Sequence, residues 1–207
     1  MNYQWIGLVA ASYLVGSIPF ALIVGKLWKG IDIRRYGSGN VGATNALRTL
    51  GVGPSLIVFA CDFAKGALPT WIGWHVGDSL LVGALCALAA VAGHNWSLYI
   101  RFTGGKGVTT SLGALFVLSP LAGLLITALG LGVIGVSRYV SLGSLIGAVA
   151  GPLLLLGMAL LGSPFEPALY GFAAGLLVVL QHRANIGRLL AGKENRLGQK
   201  AEVGSRR

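Results

Sequence analysis

Long apolar runs, separated by short polar segments, dominate the chain. The first three, at residues 5–24, 54–74 and 80–100, are each close to the ~20 residues that a transmembrane helix needs. Two further runs follow at residues 140–161 and 167–180. We find no repeat of fixed period and no soluble domain between them. The pattern therefore predicts an all-α integral membrane bundle.

Basic residues predict the orientation of this bundle. Lys26, Lys29, Arg34 and Arg35 follow the first run directly, whereas no basic residue precedes it. The first run therefore lacks the charged start of a cleaved signal peptide and is predicted to remain as a span. By the positive-inside rule, its C-terminal end faces the cytoplasm and the N-terminus lies outside.

The apolar stretch at residues 108–136 could cross the membrane once, or form two shorter helices that meet at Ser119 and Pro120. A single crossing would leave the Lys- and Arg-rich C-terminal segment outside, against the positive-inside rule. Proline ends a helix because it has no N–H and clashes with the preceding turn. We therefore predict seven helices, with a short pair hinged near Pro120 and the C-terminus in the cytoplasm.

Composition supports a membrane protein over a soluble one. Hydrophobic residues make up 55% of the chain and charged residues 11%, well below the roughly 25% of a soluble domain. The net charge of +10 does not require nucleic acid, because basic loops between apolar spans produce it. Cys61 and Cys86 lie in apolar runs without CxxC spacing, so neither a disulfide nor a metal site is predicted. Residues 1–198 form one predicted domain and residues 199–207 a frayed polar tail.

The first unusual polar segment reads GSGNVGATN, residues 37–45. Its glycines match the GxGxxG dinucleotide fingerprint, but that match counts only between a strand and a helix of a βαβ unit. Glycines still let backbone N–H groups approach a phosphate, and Arg48 could bind it through two hydrogen bonds. The candidate polar and glycine residues are Gly37, Ser38, Gly39, Asn40, Thr44 and Asn45. The alternative is a glycine-rich cytoplasmic turn.

The second segment reads TGGKGVTT, residues 103–110. It is not a Walker A loop, because Gly107 stands where Ser or Thr should follow the lysine. Lys106 nevertheless lies among Gly104, Gly105 and Gly107 at the start of a predicted helix, where free N–H groups favour an anion. The alternative is a single lysine that only sets the topology.

The third segment reads HRANIGRLLAGKE, residues 182–194. His182, Asn185 and Arg188 are spaced three apart and share one face of a helix at the predicted membrane exit. A single histidine is more often structural, but this one lies on the same predicted membrane side as the two glycine loops. Three anion-binding segments on one side indicate a site for phosphate groups, and the membrane suggests that one ligand is a lipid.

Two charged residues, Asp62 and Lys65, lie three apart inside the second apolar run. A charge in a membrane span is costly and usually functional, although mutual pairing could make these residues purely structural. We expect them to support the site by tying this helix beneath the first polar segment.

The three segments GSGNVGATN, GGKGV and HRANIGRLLAGKE, in this order, resemble the cytoplasmic motifs of the bacterial acyl-phosphate-dependent glycerol-3-phosphate acyltransferases (PlsY). The resemblance extends over nearly the whole chain, including YLVGSIPF and CDFAKG. Gln181 and Ala184 depart from it, since the family pattern has Arg and Glu there. The resemblance implies transfer of a fatty acyl group from acyl phosphate to the 1-hydroxyl of glycerol 3-phosphate, which gives lysophosphatidic acid and phosphate. It implies no cofactor, and a bacterial cytoplasmic (inner) membrane enzyme whose active site faces the cytoplasm.

The resemblance also implies roles for the candidate residues. Lys106 and Arg48 would be the main cations, and the GGKG amides, with Ser38, Gly39 and Asn40, would cradle phosphate. Glycerol 3-phosphate would be oriented by the remaining polar residues, namely Thr44, Asn45, His182, Asn185 and Arg188. Glu194 would tie a nearby cation. The alternative function, a transporter of a phosphorylated metabolite, usually has a midplane site and internal symmetry, neither of which the sequence suggests.

Overall fold

The structure is a computed structural model that describes residues 3–199. Within these residues the chain is all-helical, with ten α-helices and two short 3₁₀ turns. The helices are α1 Tyr3–Gly16, α2 Phe20–Lys29, α3 Ala43–Thr49, α4 Val52–Val76, α5 Leu80–Asn95, α6 Val108–Leu118, α7 Pro120–Ser137, α8 Val140–Leu160, α9 Glu166–Gln181 and α10 Arg183–Leu190. The tail that we predicted to be frayed, residues 199–207, lies outside the described part of the chain except for Gln199.

Apolar helical segments lie along each of the predicted runs. Four are long and apolar enough to cross a membrane, namely Tyr3–Lys29, Val52–Val76, Pro120–Ser137 and Val140–Leu160. Three are shorter, namely Leu80–Asn95, Val108–Leu118 and Glu166–Gln181. The predicted all-α fold is therefore confirmed, and its longer helices have the length and composition of membrane spans.

The break at Ser119 lies where the sequence predicted it. Ser119 leaves the helical conformation, with φ −156° and ψ 88°, and Pro120 occupies the first turn of α7. Proline fits there because the first N–H groups of a helix have no partner inside the helix. The stretch at residues 108–136 is thus two helices of 11 and 18 residues.

The first apolar run differs from the prediction, because it is two helices and not one. α1 ends at Gly16 and α2 begins at Phe20, so the chain turns at Ser17, Ile18 and Pro19. Pro19 cannot donate the hydrogen bond that would continue α1. The Ile18 carbonyl, left without a helical partner, accepts a hydrogen bond from Lys65 Nζ at 2.9 Å.

The third run also ends earlier than predicted. α5 stops at Asn95, and a 3₁₀ turn at Leu98–Ile100 completes the predicted run. Ser97 is withdrawn from the helix, since its hydroxyl donates to the Ser17 carbonyl at 2.5 Å. This contact joins the end of α5 to the break between α1 and α2, so the two irregular segments stabilise each other.

Close helix packing brings the polar segments together. α4 packs against both α5 and α6, and α8 packs against α7 and α9. The α4–α6 approach requires glycine, because a Cβ on Gly66 would overlap the Thr110 carbonyl and one on Gly113 would overlap the Phe63 carbonyl. The start of α6, which follows the Lys106 loop, is thereby held against α4.

Candidate active site

One cavity of about 380 Å³ receives side chains from all three polar segments. The segments are far apart in sequence, and only the helix packing brings them together. The polar residues that line the cavity are Ser38, Asn40, Thr44, Asn45, Arg48, His94, Lys106, Thr109, Ser111, Thr127, Ser141, Ser144, Tyr170, His182, Asn185, Arg188 and Glu194. The cavity end formed by the three segments combines several cations with a single carboxylate, an arrangement suited to anionic ligands.

Asn45 holds the first segment in shape. Its Nδ2 donates to the carbonyls of Ile33 and Tyr36, each at 3.2 Å, and its Oδ1 accepts from the Ser38 N–H at 3.0 Å. The side chain is 1% exposed. Both amide hydrogens are therefore used within the loop. In this structure Asn45 positions Ser38, and because it also borders the cavity, its expected role in orienting substrate stays a prediction.

Gly37 and Gly39 shape the same loop and do not line the cavity wall. Both have positive φ, 59° and 71°, a backbone conformation that favours glycine. A Cβ on Gly39 would also lie 3.1 Å from the Arg34 carbonyl oxygen. Both glycines therefore form the turn, and their expected contact with substrate stays a prediction. The side chains of Ser38, Asn40 and Thr44 face the cavity instead.

Gly104 and Gly105 of the second segment pack against the end of α5. The Gly105 N–H donates to the His94 carbonyl at 3.0 Å, and a Cβ on Gly105 would overlap the His94 ring. A Cβ on Gly104 would overlap the same carbonyl. These contacts hold both glycines against α5, and their expected role in cradling phosphate stays a prediction. Lys106 and Gly107 are the members of GGKG that line the cavity.

Lys106 lies in the part of the cavity formed by the three polar segments, here called the polar end. Its ammonium group donates a hydrogen bond to Asn185 Oδ1, which links the second segment to the third. Burial lowers the pKa of Lys106 to about 8; the Glu194 charge opposes this effect, and Arg188 and Arg48 add to it. The ammonium group is therefore mostly charged at neutral pH, although it holds its proton less tightly than an exposed lysine does.

Glu194 organises the third segment. Its carboxylate accepts hydrogen bonds from Asn185 Nδ2 at 2.7 Å, Arg188 Nε at 2.7 Å and Ser141 Oγ at 3.1 Å. Burial raises the pKa of Glu194, but these three hydrogen bonds outweigh that effect and lower it overall. The carboxylate is therefore charged, and it fixes the orientations of Asn185 and Arg188.

His182 lies at the junction of α9 and α10 and is 2% exposed. Its Nδ1 is 2.8 Å from the Val178 carbonyl oxygen, which can only accept a hydrogen bond. Nδ1 must therefore carry a proton, which leaves Nε2 as an acceptor when the ring is neutral. Burial, assisted by the Lys106 charge, lowers the pKa of His182 to about 4. The ring is neutral at pH 7 and is a weak base.

Arg48 projects from α3 toward the C-terminal segment. One Nη2 hydrogen bond, to the Asn195 carbonyl at 3.4 Å, leaves most of its donors available to a ligand. Burial, the largest effect, lowers the pKa of Arg48, yet an arginine remains charged at any physiological pH. Arg48 and Lys106 therefore supply two cations from different segments to one cavity.

Asp62 and Lys65 form a buried ion pair, with Lys65 Nζ 2.7 Å from Asp62 Oδ1. Lys65 also donates to the Ile18 carbonyl at 2.9 Å. We expected the pair to tie α4 beneath the first polar segment. It ties α4 to the break between α1 and α2 instead.

Sequence reasoning missed the apolar half of the cavity. Beyond the polar end, the cavity continues between α6, α7, α8 and α9, lined by Leu112, Leu115, Ile126, Leu131, Ile134, Gly147, Gly151, Leu155, Ala174 and Val178. Gly147 and Gly151 are four apart on α8, and this spacing within an apolar run was the available signal. Without the α7 packing, it could not be distinguished from a helix contact.

Comparison with known proteins accords with this geometry. Residues 6–192 match the model of the family described as glycerol-3-phosphate acyltransferase. The chain belongs to the glycerol-3-phosphate acyltransferase family. Glycerol-3-phosphate acyltransferase 2 of Moorella thermoacetica is 46% identical over 198 residues, which are 96% of this chain and 100% of that protein. The glycerol-3-phosphate acyltransferase of Shouchella clausii is 46% identical, over 97% of this chain and 99% of that protein.

Solved structures of the glycerol-3-phosphate acyltransferase family share the fold. A crystal structure of PlsY, an integral membrane glycerol 3-phosphate acyltransferase, in its glycerol 3-phosphate form, superposes with a TM-score of 0.88. It is 40% identical, with 94% of this chain and 96% of that chain covered. The lysophosphatidic acid form gives a TM-score of 0.86 at 40% identity, covering 95% of this chain and 96% of that one. The predicted family is confirmed, and the protein is an acyltransferase.

Proposed function

We propose that this acyltransferase moves a fatty acyl group from acyl phosphate to the 1-hydroxyl of glycerol 3-phosphate. The products are lysophosphatidic acid and inorganic phosphate. The observation that carries the proposal is one cavity with a cationic polar end and an apolar extension. Both substrates carry phosphate, and one carries a chain that needs an apolar environment.

Lys106 and Arg48 are the proposed cations for the phosphate groups. In the reaction, the glycerol hydroxyl oxygen forms a bond to the acyl carbon, and the bond from that carbon to the phosphate oxygen breaks. Negative charge develops on the departing phosphate, where prearranged cations stabilise the transition state most effectively. Ser38, held by Asn45, and the polar side chains of Asn40 and Thr44 would add neutral hydrogen bonds.

His182 is proposed to orient glycerol 3-phosphate. Its Nδ1–H is held by Val178, so Nε2 can accept a hydrogen bond from the attacking hydroxyl. With a pKa of about 4, the ring is a poor proton acceptor at neutral pH. The hydroxyl proton would instead pass to an oxygen of the departing phosphate. Asn185 and Arg188, held by Glu194, would grip the same substrate.

The apolar extension is the proposed site of the acyl chain. Its wall is formed by aliphatic side chains and by Gly147 and Gly151 on α8. Each methylene that enters it contributes about 0.8 kcal/mol of transfer free energy. Most of the affinity for the acyl donor would therefore come from the chain, and the polar end would position the acyl phosphate.

We further propose that residues 1–198 form a single domain in the bacterial cytoplasmic membrane, with seven crossings, the N-terminus outside and the C-terminus inside. The distribution of Lys and Arg supports this orientation. It would open the polar end of the cavity to the cytoplasm. A transporter of a phosphorylated metabolite, the alternative from another class, is disfavoured because the chain belongs to an acyltransferase family.

The identity of the donor is tested with purified protein, palmitoyl phosphate and labelled glycerol 3-phosphate. We expect one inorganic phosphate to be released for each lysophosphatidic acid formed. Palmitoyl-CoA, free of acyl phosphate, should support no comparable turnover. Efficient turnover with palmitoyl-CoA alone would refute the proposed donor.

A further inference from the structure

A second buried polar cluster lies behind the Lys106 loop, and the proposed reaction makes no use of it. Its centre is His94, near the end of α5, whose side chain is 6% exposed. One side of the ring borders the cavity, and the other faces the ion pair of Asp62 and Lys65 on α4. The cluster therefore lies between the site and the core of the bundle.

The end of α5 packs against the loop that contains Lys106, here called the lysine loop. The His94 carbonyl oxygen accepts a hydrogen bond from the Gly105 N–H at 3.0 Å. The His94 ring fills the space that a Gly105 side chain would occupy. Asn95 borders the other flank of Lys106, since a Cβ on Gly107 would lie 2.8 Å from Asn95 Oδ1. Both glycines beside Lys106 are thus pressed against consecutive residues of α5.

The other side of the His94 ring faces the ion pair of Asp62 and Lys65. His94 Nδ1 lies 3.7 Å from Asp62 Oδ1 and has no hydrogen-bond partner within residues 3–199. Asp62 pairs with Lys65, and Lys65 donates to the Ile18 carbonyl at the break between α1 and α2. The His94 ring therefore lies between the lysine loop and an ion pair that is tied to that break.

We propose that His94 is a positioning residue for Lys106. The inference rests on the function proposed above, in which Lys106 meets the charge on the departing phosphate. Held against Asp62, the His94 ring would fix the backbone of Gly105 and hence the direction in which Lys106 leaves the loop. A misplacement of about 1 Å can cost ~10²-fold in rate, so the effect of losing the ring should fall on kcat.

A double-mutant cycle tests this proposal. kcat and both KM values are measured for His94→Leu and His94→Gln, each in the wild-type and in a Lys106→Ala background. If His94 acts through Lys106, His94→Leu should lower kcat about tenfold or more in the wild type, with both KM values within about twofold. In the Lys106→Ala background it should cause no further loss, because residues that act as a unit are not additive.

His94→Gln keeps a polar group in the same space, so it should retain more activity than His94→Leu. It also provides the cycle if the leucine variant does not fold. His75→Gln on α4 is the matched control, because His75 stacks on Trp71 outside the cavity lining and should leave kcat unchanged.

Two results would overturn the positioning role. One is an equal fold-loss of kcat in both backgrounds, and the other is a wild-type kcat for both His94 variants. Failure of the proposed function can be told apart from failure of the positioning role. In that case the wild-type protein would form no lysophosphatidic acid from acyl phosphate.

Discussion

Lys106 is the residue on which the proposed chemistry depends most. Its ammonium group is half-buried at the meeting point of the second and third segments. Removing a group that meets transition-state charge typically costs ~10²-fold or more in kcat. We therefore expect Lys106→Ala to lower kcat at least ~10²-fold, measured as phosphate release at saturating substrates. The control is Lys193→Ala, because Lys193 is exposed and lies outside the cavity lining. A similar kcat for both variants would mean that Lys106 only sets the membrane topology.

The pH dependence of the reaction should report the same residue. Burial lowers the pKa of Lys106 to about 8, so its positive charge is present below that pH and is lost as the pH rises through it. We expect kcat/KM, which reports the ionisation of the free enzyme, to fall above about pH 8, measured from pH 6 to 10 with correction for spontaneous hydrolysis of acyl phosphate. Lys106→Arg, which stays charged throughout, should be slower but should not show this fall. An unchanged alkaline fall in Lys106→Arg would assign it to another group.

His182 should affect binding more than catalysis. Its pKa of about 4 leaves it neutral at pH 7, with Nε2 as a hydrogen-bond acceptor. We expect His182→Gln, which can still form a hydrogen bond, to raise KM for glycerol 3-phosphate and to retain substantial kcat. If kcat instead drops by ~10³-fold with KM unchanged in folded protein, His182 is the general base.

At the level of helices, the sequence predicted one of the two proline breaks and missed the other. The break at Pro120 was predicted because proline ends a helix and the charge pattern required an extra crossing. The break at Pro19 was missed, although proline is present there too, because the apolar run and its length fitted one span.

The loops show the same limit. Glycine content identified the segment around Lys106 as a candidate site, but it could not show which N–H groups remain free. That depends on His94, which lies in a different apolar run and contacts Gly105 only after α4, α5 and α6 have packed. Asn45 is similar, since its partners are the carbonyls of Ile33 and Tyr36. The sequence predicted the convergence of the segments, but not which of their residues line the cavity and which support the loops.

The glycine face of α8 gives a prediction for this helix. A Cβ on Gly151 would lie 3.8 Å from Ile126 Cγ1, an ordinary contact, so a longer side chain would extend into the apolar part of the cavity. We expect Gly151→Leu to lower kcat/KM for palmitoyl phosphate at least tenfold relative to octanoyl phosphate, because the longer chain loses its space.

The matched control for this prediction is Gly132→Leu on α7. A Cβ on Gly132 would meet nothing within 4 Å, and this glycine is absent from the cavity lining. Chain-length preference should therefore be that of the wild type. An equal loss of kcat/KM for both donors in Gly151→Leu would indicate helix distortion. It would contradict the proposal that the apolar extension of the cavity holds the acyl chain.

At the scale of the whole molecule, the fold joins two environments in one cavity. Helices α6 to α9 enclose the apolar part, and the three polar segments close its other end. A water-soluble substrate and a lipid can then meet without either leaving its own phase. This arrangement works only if the polar end opens to the compartment that contains glycerol 3-phosphate, which we propose is the cytoplasm.

Acyl transfer in sealed vesicles of known orientation tests this account most directly. Palmitoyl phosphate is placed in the bilayer, and labelled glycerol 3-phosphate, which does not cross it, is added outside. We predict rapid formation of lysophosphatidic acid in inside-out vesicles and almost none in right-side-out vesicles until detergent is added. Equal rates in both sealed preparations, or none in either after detergent, would contradict it.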